Sequence, residues 1–210
     1  MSYTLSNLVS QVQSRLDDTG FSSATIKQFV NDAQREITND KRWRFMEATT
    51  DLTTSVGSQA IGSFPADYQV AIDLRISSPV AYAKKLPFLD YTVVDEQYSD
   101  QTIYANSTPM FWFEYANVPY IFPQADQVYT LTLRYLKTPT ELSSDSDVPQ
   151  IPEEYQELLV LGALSRCHEL NDDYDKAAIV RQKIDELLIS MTKRYGFRLL
   201  DGPRIMRAGS

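Results

Sequence analysis

The stretch Leu158–Leu164 reads LLVLGAL and is apolar at every position. Upstream of it, Pro152 suits the first turn of a helix because that turn needs no amide donor. A surface helix has one apolar stripe, whereas a helix that is apolar on all sides is buried. The sequence therefore predicts a central core helix, in which Gly162 and Ala163 allow a neighbouring helix to approach closely.

Three further helices are predicted around this one. After the central helix, residues 171–173 form a turn, and a further helical pattern then continues to about Tyr195. Near the other end, residues 5–16 and 23–40 carry apolar side chains at the i, i+3, i+4 spacing of one helix face. Their short connection predicts an antiparallel pair. Trp43 follows this pair and is predicted to fill the core rather than to stack on a ligand.

Between the helix pairs, from about Ala48 to Pro139, the apolar period changes from 3.6 to two. Strands are predicted from three alternations, which are Tyr68, Val70, Ile72, Leu74, Ile76; Tyr129, Leu131, Leu133, Tyr135; and Phe111, Phe113, Tyr115. Residues 91–98 fit either a short helix or an irregular crossing. A polar, turn-rich linker at 139–149 returns the chain to the helices.

These patterns predict a mainly α fold with a β-rich insertion. The N- and C-terminal helix pairs would form a four-helix bundle, interrupted by a small antiparallel β domain and followed by an extended C-terminal tail. The corresponding segments are residues 1–45, 46–140, 141–195 and 196–210.

Composition restricts the function. With 210 residues and a net charge of -8, the chain lacks the basic excess of a nucleic-acid binder. No apolar run approaches the roughly 20 residues of a membrane span, and no signal peptide is evident, so we expect a protein made in the cytoplasm that binds no membrane. The charge is uneven: from Lys193 onward five basic residues face one acidic residue, a net charge of +4, and the remainder carries -12. A basic end suits an acidic partner, although a merely solvated tail gives the same pattern.

Residues that could carry chemistry are few. Cys167 and His168 are adjacent, and neighbouring side chains on a helix point about 100° apart, which opposes a nucleophile–base pair. A thiol hydrolase is thus a weak alternative, and Cys167 is expected to be a small core residue. With one histidine, one cysteine and no glycine-rich phosphate loop, we expect no enzyme, no metal site and no cofactor.

The run Phe111-Trp112-Phe113 is a candidate interface. Consecutive strand residues alternate faces, so these three side chains cannot all enter one core. One face is therefore expected to be covered by a neighbouring subunit or by another partner protein. A base-stacking platform is disfavoured because no basic residues are interleaved with the aromatic ones.

The order of these pieces resembles the head-to-tail adaptor proteins of tailed bacteriophages. The resemblance extends from Leu5 to about Met191, with its strongest stretch at 151–155. It is carried by LSNLV at 5–9, RW at 42–43, FPADY at 64–68, FP at 122–123, LRYLK at 133–137, IPEEY at 151–155 and NDD at 171–173. The chain has Gln124-Ala125 where similar proteins often carry a second proline.

The resemblance implies a virion structural protein at the head–tail junction. It would form a ring, a dodecamer, beneath the portal protein, contact tail or nozzle proteins, and let genomic DNA pass through an acidic lumen without specific binding. Another neck, tail-completion or partner-binding scaffold protein is the alternative. The C-terminal tail of this chain, from about Gly196, is expected to be disordered or extended in the free subunit and to dock on the portal or an adjacent subunit. Its docking residues are Phe197, Arg198, Leu199, Arg204, Ile205 and Arg207.

Overall fold

The computed structural model describes residues 3–16, 20–98 and 103–196. The chain divides into two compact units. Met1–Met46 and Pro139–Ser210 form the first, called here the helical unit, and Glu47–Thr138 form the second, called the β unit.

The helical unit contains four long helices. They are α1 (Leu5–Arg15), α2 (Ser23–Asp40), α4 (Glu157–Leu170) and α5 (Tyr174–Tyr195). Hydroxyl oxygens of Thr4 and Ser22 cap the first two by accepting hydrogen bonds from amides three residues later. Helix α4 lies at the centre, and α1, α2 and α5 all pack against it. Residues Leu158–Ser165 are buried without a break, which confirms the prediction of a central core helix.

The prediction of a mainly α fold with a four-helix bundle is wrong. The described part of the chain holds five helices and six strands in two sheets, with 44% helix and 23% strand. Among the described helices, α5 packs extensively only on α4. It buries Ala177, Val180 and Met191, whereas Tyr174 and Ile179 are exposed. A bundle needs each helix to pack on two neighbours, and the apolar face of α5 is too narrow for that.

A polar clamp holds the linker against α2. The buried amide of Asn31 donates to the carbonyl oxygen of Leu142 at 2.9 Å and accepts from the Leu142 amide at 2.8 Å. Gln34 donates to the carbonyl oxygen of Thr140 at 2.9 Å. Leu5 donates its amide to the carbonyl oxygen of Asp147 at 2.9 Å. Side-chain amides of α2 and the backbone amide of Leu5 thus pair with backbone groups of this irregular segment.

The β unit contains two antiparallel sheets. The larger has the order β1 (Glu47–Thr53), β6 (Thr130–Lys137), β2 (Tyr68–Ser78) and β3 (Lys84–Leu86). The smaller is a hairpin of β4 (Phe111–Tyr115) and β5 (Val118–Phe122). Its two-residue turn places Ala116 and Asn117 at positive φ, as a type I′ turn requires. Of the two alternatives for residues 91–98, the structure has a helix, α3 (Tyr91–Gln97), capped by Asp90.

The predicted strand alternation holds in β6 and partly fails in β2. Leu131 and Leu133 are fully buried, as expected. In β2, Leu74 is buried but Val70 is 49% exposed. The register against β6 shifts between Ala71 and Asp73, and such a bulge moves side chains to the opposite face. Val70 therefore lies on the surface.

Helices α2 and α4 approach each other closely at Gly162, so a substitution there tests how tightly the core is packed. A Cβ atom at this position would lie 2.6 Å from the Ala33 Cβ. We expect Gly162→Ala to lower the free energy of unfolding by about 1–2 kcal/mol, because overpacking outweighs the better helix propensity of alanine. Ala33→Gly removes the clashing atom, so adding it to Gly162→Ala should recover part of that loss. Urea titrations of the two single variants and the double variant measure the coupling. Purely additive effects would contradict the contact.

Candidate interaction sites

The pair Cys167–His168 does not form a reactive site. The Cys167 side chain is fully buried, and this burial raises the pKa of its thiol to about 11. The thiolate, which is the nucleophilic form, is therefore scarce at neutral pH. His168 is also buried, and its Nδ1 lies 3.9 Å from an Asp173 carboxylate oxygen, beyond hydrogen-bond distance. Cys167 thus occupies the core position expected from the sequence.

Metal ligands do not cluster in the described ranges. Among residues 3–16, 20–98 and 103–196, no group of three or more His, Cys, Asp or Glu side chains could hold a metal ion.

None of the helices in those ranges is both long enough and apolar enough to cross a membrane.

Glu154, which follows Glu153 in the sequence, contacts the C-terminal turn of α5. It accepts a hydrogen bond from the Tyr195 hydroxyl at 2.7 Å and lies 3.0 Å from the Arg194 guanidinium. The Tyr195 hydrogen bond, together with the Arg194 charge, lowers the pKa of Glu154 below its ordinary value. Gly196 then pairs with Trp43 in an antiparallel bridge. These contacts hold the C-terminal turn of α5 against Glu154 and join Gly196 to Trp43.

Phe111, Trp112 and Phe113 are covered from within the β unit. Trp112 is 3% exposed and belongs to the main core of the unit, together with Leu86. Phe111 and Phe113 belong to a second, smaller core, with Val94 of α3. Both faces of β4 are thus occupied by this chain, so the expectation that one face lacks cover is not met. An interface role for these three residues stays a prediction.

A groove of about 660 Å³ opens in the β unit. We call it the Phe88 groove, and its principal lining residues are Val70, Asp73, Leu86, Phe88, Trp112 and Glu114. Phe88 is 53% exposed and stands edge-on to Trp112, with their ring centroids 4.8 Å apart. The groove thus has an apolar floor and an apolar mouth.

Two carboxylates add negative charge to the Phe88 groove. Glu114 accepts a hydrogen bond from the Tyr68 hydroxyl at 3.2 Å, and burial together with this carboxylate raises the pKa of Tyr68. The Asp73 side chain is 10% exposed, and its Oδ2 accepts from Arg75 at 3.1 Å and lies 3.9 Å from Arg134. Its Oδ1 is buried and accepts no hydrogen bond from the described residues. Lys85 is the one basic lining residue among those described.

A second groove, of about 780 Å³, lies in the helical unit and is lined by residues of α2, α4 and α5. Ion pairs hold its edges: Arg166 lies 2.7 Å from Glu36, and Arg181 contacts Glu169. Because these charges are already paired, the groove offers an entering ligand few free polar partners.

The six predicted docking residues of the tail, Phe197, Arg198, Leu199, Arg204, Ile205 and Arg207, lie outside the described residues. The sequence interpretation also missed the Phe88 groove. Its lining comes from β2, from β3 and the residues after it, and from β4, and no local pattern indicates that these segments meet.

The comparisons with known proteins identify the family. No curated protein gives a significant match to the chain. The model of the SU10 adaptor protein family matches residues 3–207, which includes both units and nearly the whole chain. The resemblance to phage adaptor proteins is thereby confirmed. The chain belongs to the SU10 adaptor protein family.

Proposed function

We propose that this protein is a structural subunit of a ring that lies beneath the portal and joins the DNA-filled head to the tail. The observation that carries the proposal is the family match over residues 3–207, which gives the chain an adaptor role and a place in the virion. The ring, its position at the head–tail junction and its twelve copies are our inference from the resemblance to head-to-tail adaptors.

The charge distribution supports a role as a DNA conduit. The net charge of -8 is far from that of a DNA-binding surface, and a negatively charged lumen repels phosphate. Genomic DNA would then pass without specific binding. A non-enzymatic role that needs no cofactor fits the buried, protonated thiol of Cys167.

We assign docking to two segments of the chain, the C-terminal residues 197–210 and the β unit. The C-terminal segment of the chain would bind the portal or an adjacent subunit. Its contact residues would be Phe197, Arg198, Leu199, Arg204, Ile205 and Arg207. The β unit would meet the tail or nozzle proteins, with Phe111, Trp112 and Phe113 supporting that surface from beneath, since they are buried.

Heads that carry a portal and packaged DNA but lack this protein provide the test. Purified full-length protein added to them should co-sediment with the heads and restore tail attachment. Averaged electron micrographs should show a new ring of density at the portal vertex, and its mass gives the number of copies. Binding only to isolated tails, or no density at the portal, would favour a tail-completion or scaffold protein instead.

A further inference from the structure

We propose that residues 197–201 lie along a groove of their own subunit when that subunit is free. The groove is the one of about 780 Å³ in the helical unit, called here the helical groove. Residues 197–201 lie outside the described residues, but the structure gives the point from which they start and the direction in which the chain leaves it.

The exit of the chain from α5 points toward the helical groove. Gly196 pairs with Trp43 in an antiparallel bridge, so the residues after Gly196 run alongside the residues that precede Trp43. Two of those preceding residues, Asp40 and Lys41, line the groove on its α2 side. The chain therefore leaves the bridge in the direction of the groove.

Packing around Gly196 holds this direction. A Cβ atom on Gly196 would lie 2.5 Å from the Thr192 carbonyl oxygen, so a glycine is needed for the backbone to pass this close. On the helix side of the bridge, Tyr195 stands edge-on to Phe45, with ring centroids 6.0 Å apart, which agrees with the antiparallel order. Lys41 Nζ donates to Thr192 Oγ1 at 3.4 Å, so the C-terminal ends of α2 and α5 lie side by side. The chain thus emerges at one end of the groove.

The length of the helical groove matches residues 197–201. Its lining extends over residues 33–41 of α2 and residues 181–189 of α5. Eight residues of helix rise about 12 Å, and an extended chain covers that distance in about four residues. Gly202-Pro203 follows at that point and favours a turn. Five residues are therefore enough to occupy the groove from end to end.

The chemistry of the helical groove suits an apolar occupant. Most of its charged lining residues are already paired with one another, and the pairs are Arg166 with Glu36, Arg181 with Glu169 and Lys41 with Asp40. Of its apolar lining residues, Leu158 is buried, whereas Ile189 is 56% exposed. Phe197, Leu199 and Leu200 make three of the five entering residues apolar. Covering Ile189 with them removes apolar surface from water, which favours the contact.

This contact would store docking residues on the free subunit. Phe197, Arg198 and Leu199 are among the residues proposed above to bind the portal or an adjacent subunit. Attachment would have to draw them out of the groove, so a free subunit would offer mainly residues 202–210 to a partner. Only this consequence rests on the proposed function, because occupancy of the groove is a property of the isolated chain.

The test is limited proteolysis of the free, full-length protein with trypsin, which cleaves after arginine. Cleavage after Arg198 falls within the proposed contact, and cleavage after Arg207 falls beyond it. A synthetic peptide of residues 195–210 gives the intrinsic rates at both bonds. Relative to this peptide, we expect cleavage after Arg198 to be slower by about tenfold or more, because the segment must first leave the groove. Cleavage after Arg207 should proceed at the peptide rate, and intact-mass spectrometry measures both.

Two isoleucines of α5 provide a matched pair of variants. Ile189 lines the groove and is 56% exposed, whereas Ile179 is 59% exposed and does not line it. Ile189→Glu should restore the peptide rate after Arg198, and Ile179→Glu should leave the protection intact. Far-UV circular dichroism checks that both variants keep their helices. Equal protection in the two variants, or no protection in the unaltered protein, overturns the inference.

A dilution series distinguishes the groove of the same chain from that of a second copy. A segment joined directly to its groove acts at a high effective concentration, so the protection should stay constant over about a hundredfold dilution. Protection that falls on dilution would place the segment on a second copy and overturn the inference. The assay contains no heads, so its result and that of the head-binding assay are independent.

Discussion

Deleting residues 197–210 is expected to leave a folded subunit that no longer attaches to portal-bearing heads. All described helices and strands end by Tyr195, so the truncation removes none of them. The five apolar residues of the segment are too few to offset the entropy of ordering its backbone alone. Their contribution must come from a partner, and the arginines add orientation and a salt-dependent association rate. Co-sedimentation with heads lacking this protein measures the loss, which should exceed a hundredfold in affinity.

A shorter deletion, of residues 208–210, is the control for this experiment. It removes Ala208, Gly209 and Ser210 but keeps every arginine and every apolar anchor of the tail. This variant should attach as the intact protein does, and both variants should show the same far-UV circular dichroism. Full-affinity binding by the 197–210 deletion would place docking elsewhere and leave the tail as a solvated basic segment.

Local periodicity predicted the elements well because burial repeats along a single helix or strand. The apolar run Leu158–Leu164 required a helix buried on all sides, and α4 is such a helix. Leu131 and Leu133 alternate with polar residues and are fully buried in β6. In both cases the signal lies within one element and needs no knowledge of its neighbours.

The prediction failed where several elements determine the outcome. Closure of a four-helix bundle depends on which helices pack together, and among the described helices α5 packs extensively only on α4. The exposure of Val70 depends on a bulge set by pairing with β6. The Phe88 groove likewise joins residues as far apart as Val70 and Trp112. Neither its apolar mouth nor the Asp73 Oδ1, which accepts no hydrogen bond from the described residues, could therefore be foreseen.

Replacing Trp43 with alanine is expected to cause the largest loss of stability of any single substitution considered for this protein. Trp43 is fully buried, stacks on Phe45 with ring centroids 5.7 Å apart, and donates its indole N–H to the Ile37 carbonyl oxygen at 2.6 Å. Truncation leaves a cavity and an unpaired carbonyl near the end of α2. Together they should lower the free energy of unfolding by about 3–5 kcal/mol. Urea unfolding followed by far-UV circular dichroism, which reports mainly on the long helices, measures the shift.

Two further variants separate the contributions to this loss. Trp43→Phe keeps much of the apolar volume but has no N–H donor. It should therefore lower the free energy of unfolding by less than Trp43→Ala does, by about 1–3 kcal/mol. Tyr174→Ala removes an aromatic ring that is 64% exposed on the same unit, and it should change stability by less than about 0.5 kcal/mol. Trp112, the only other tryptophan, remains as a fluorescent reporter of the β unit in both Trp43 variants. A Trp43→Ala protein as stable as Tyr174→Ala would contradict the core assignment.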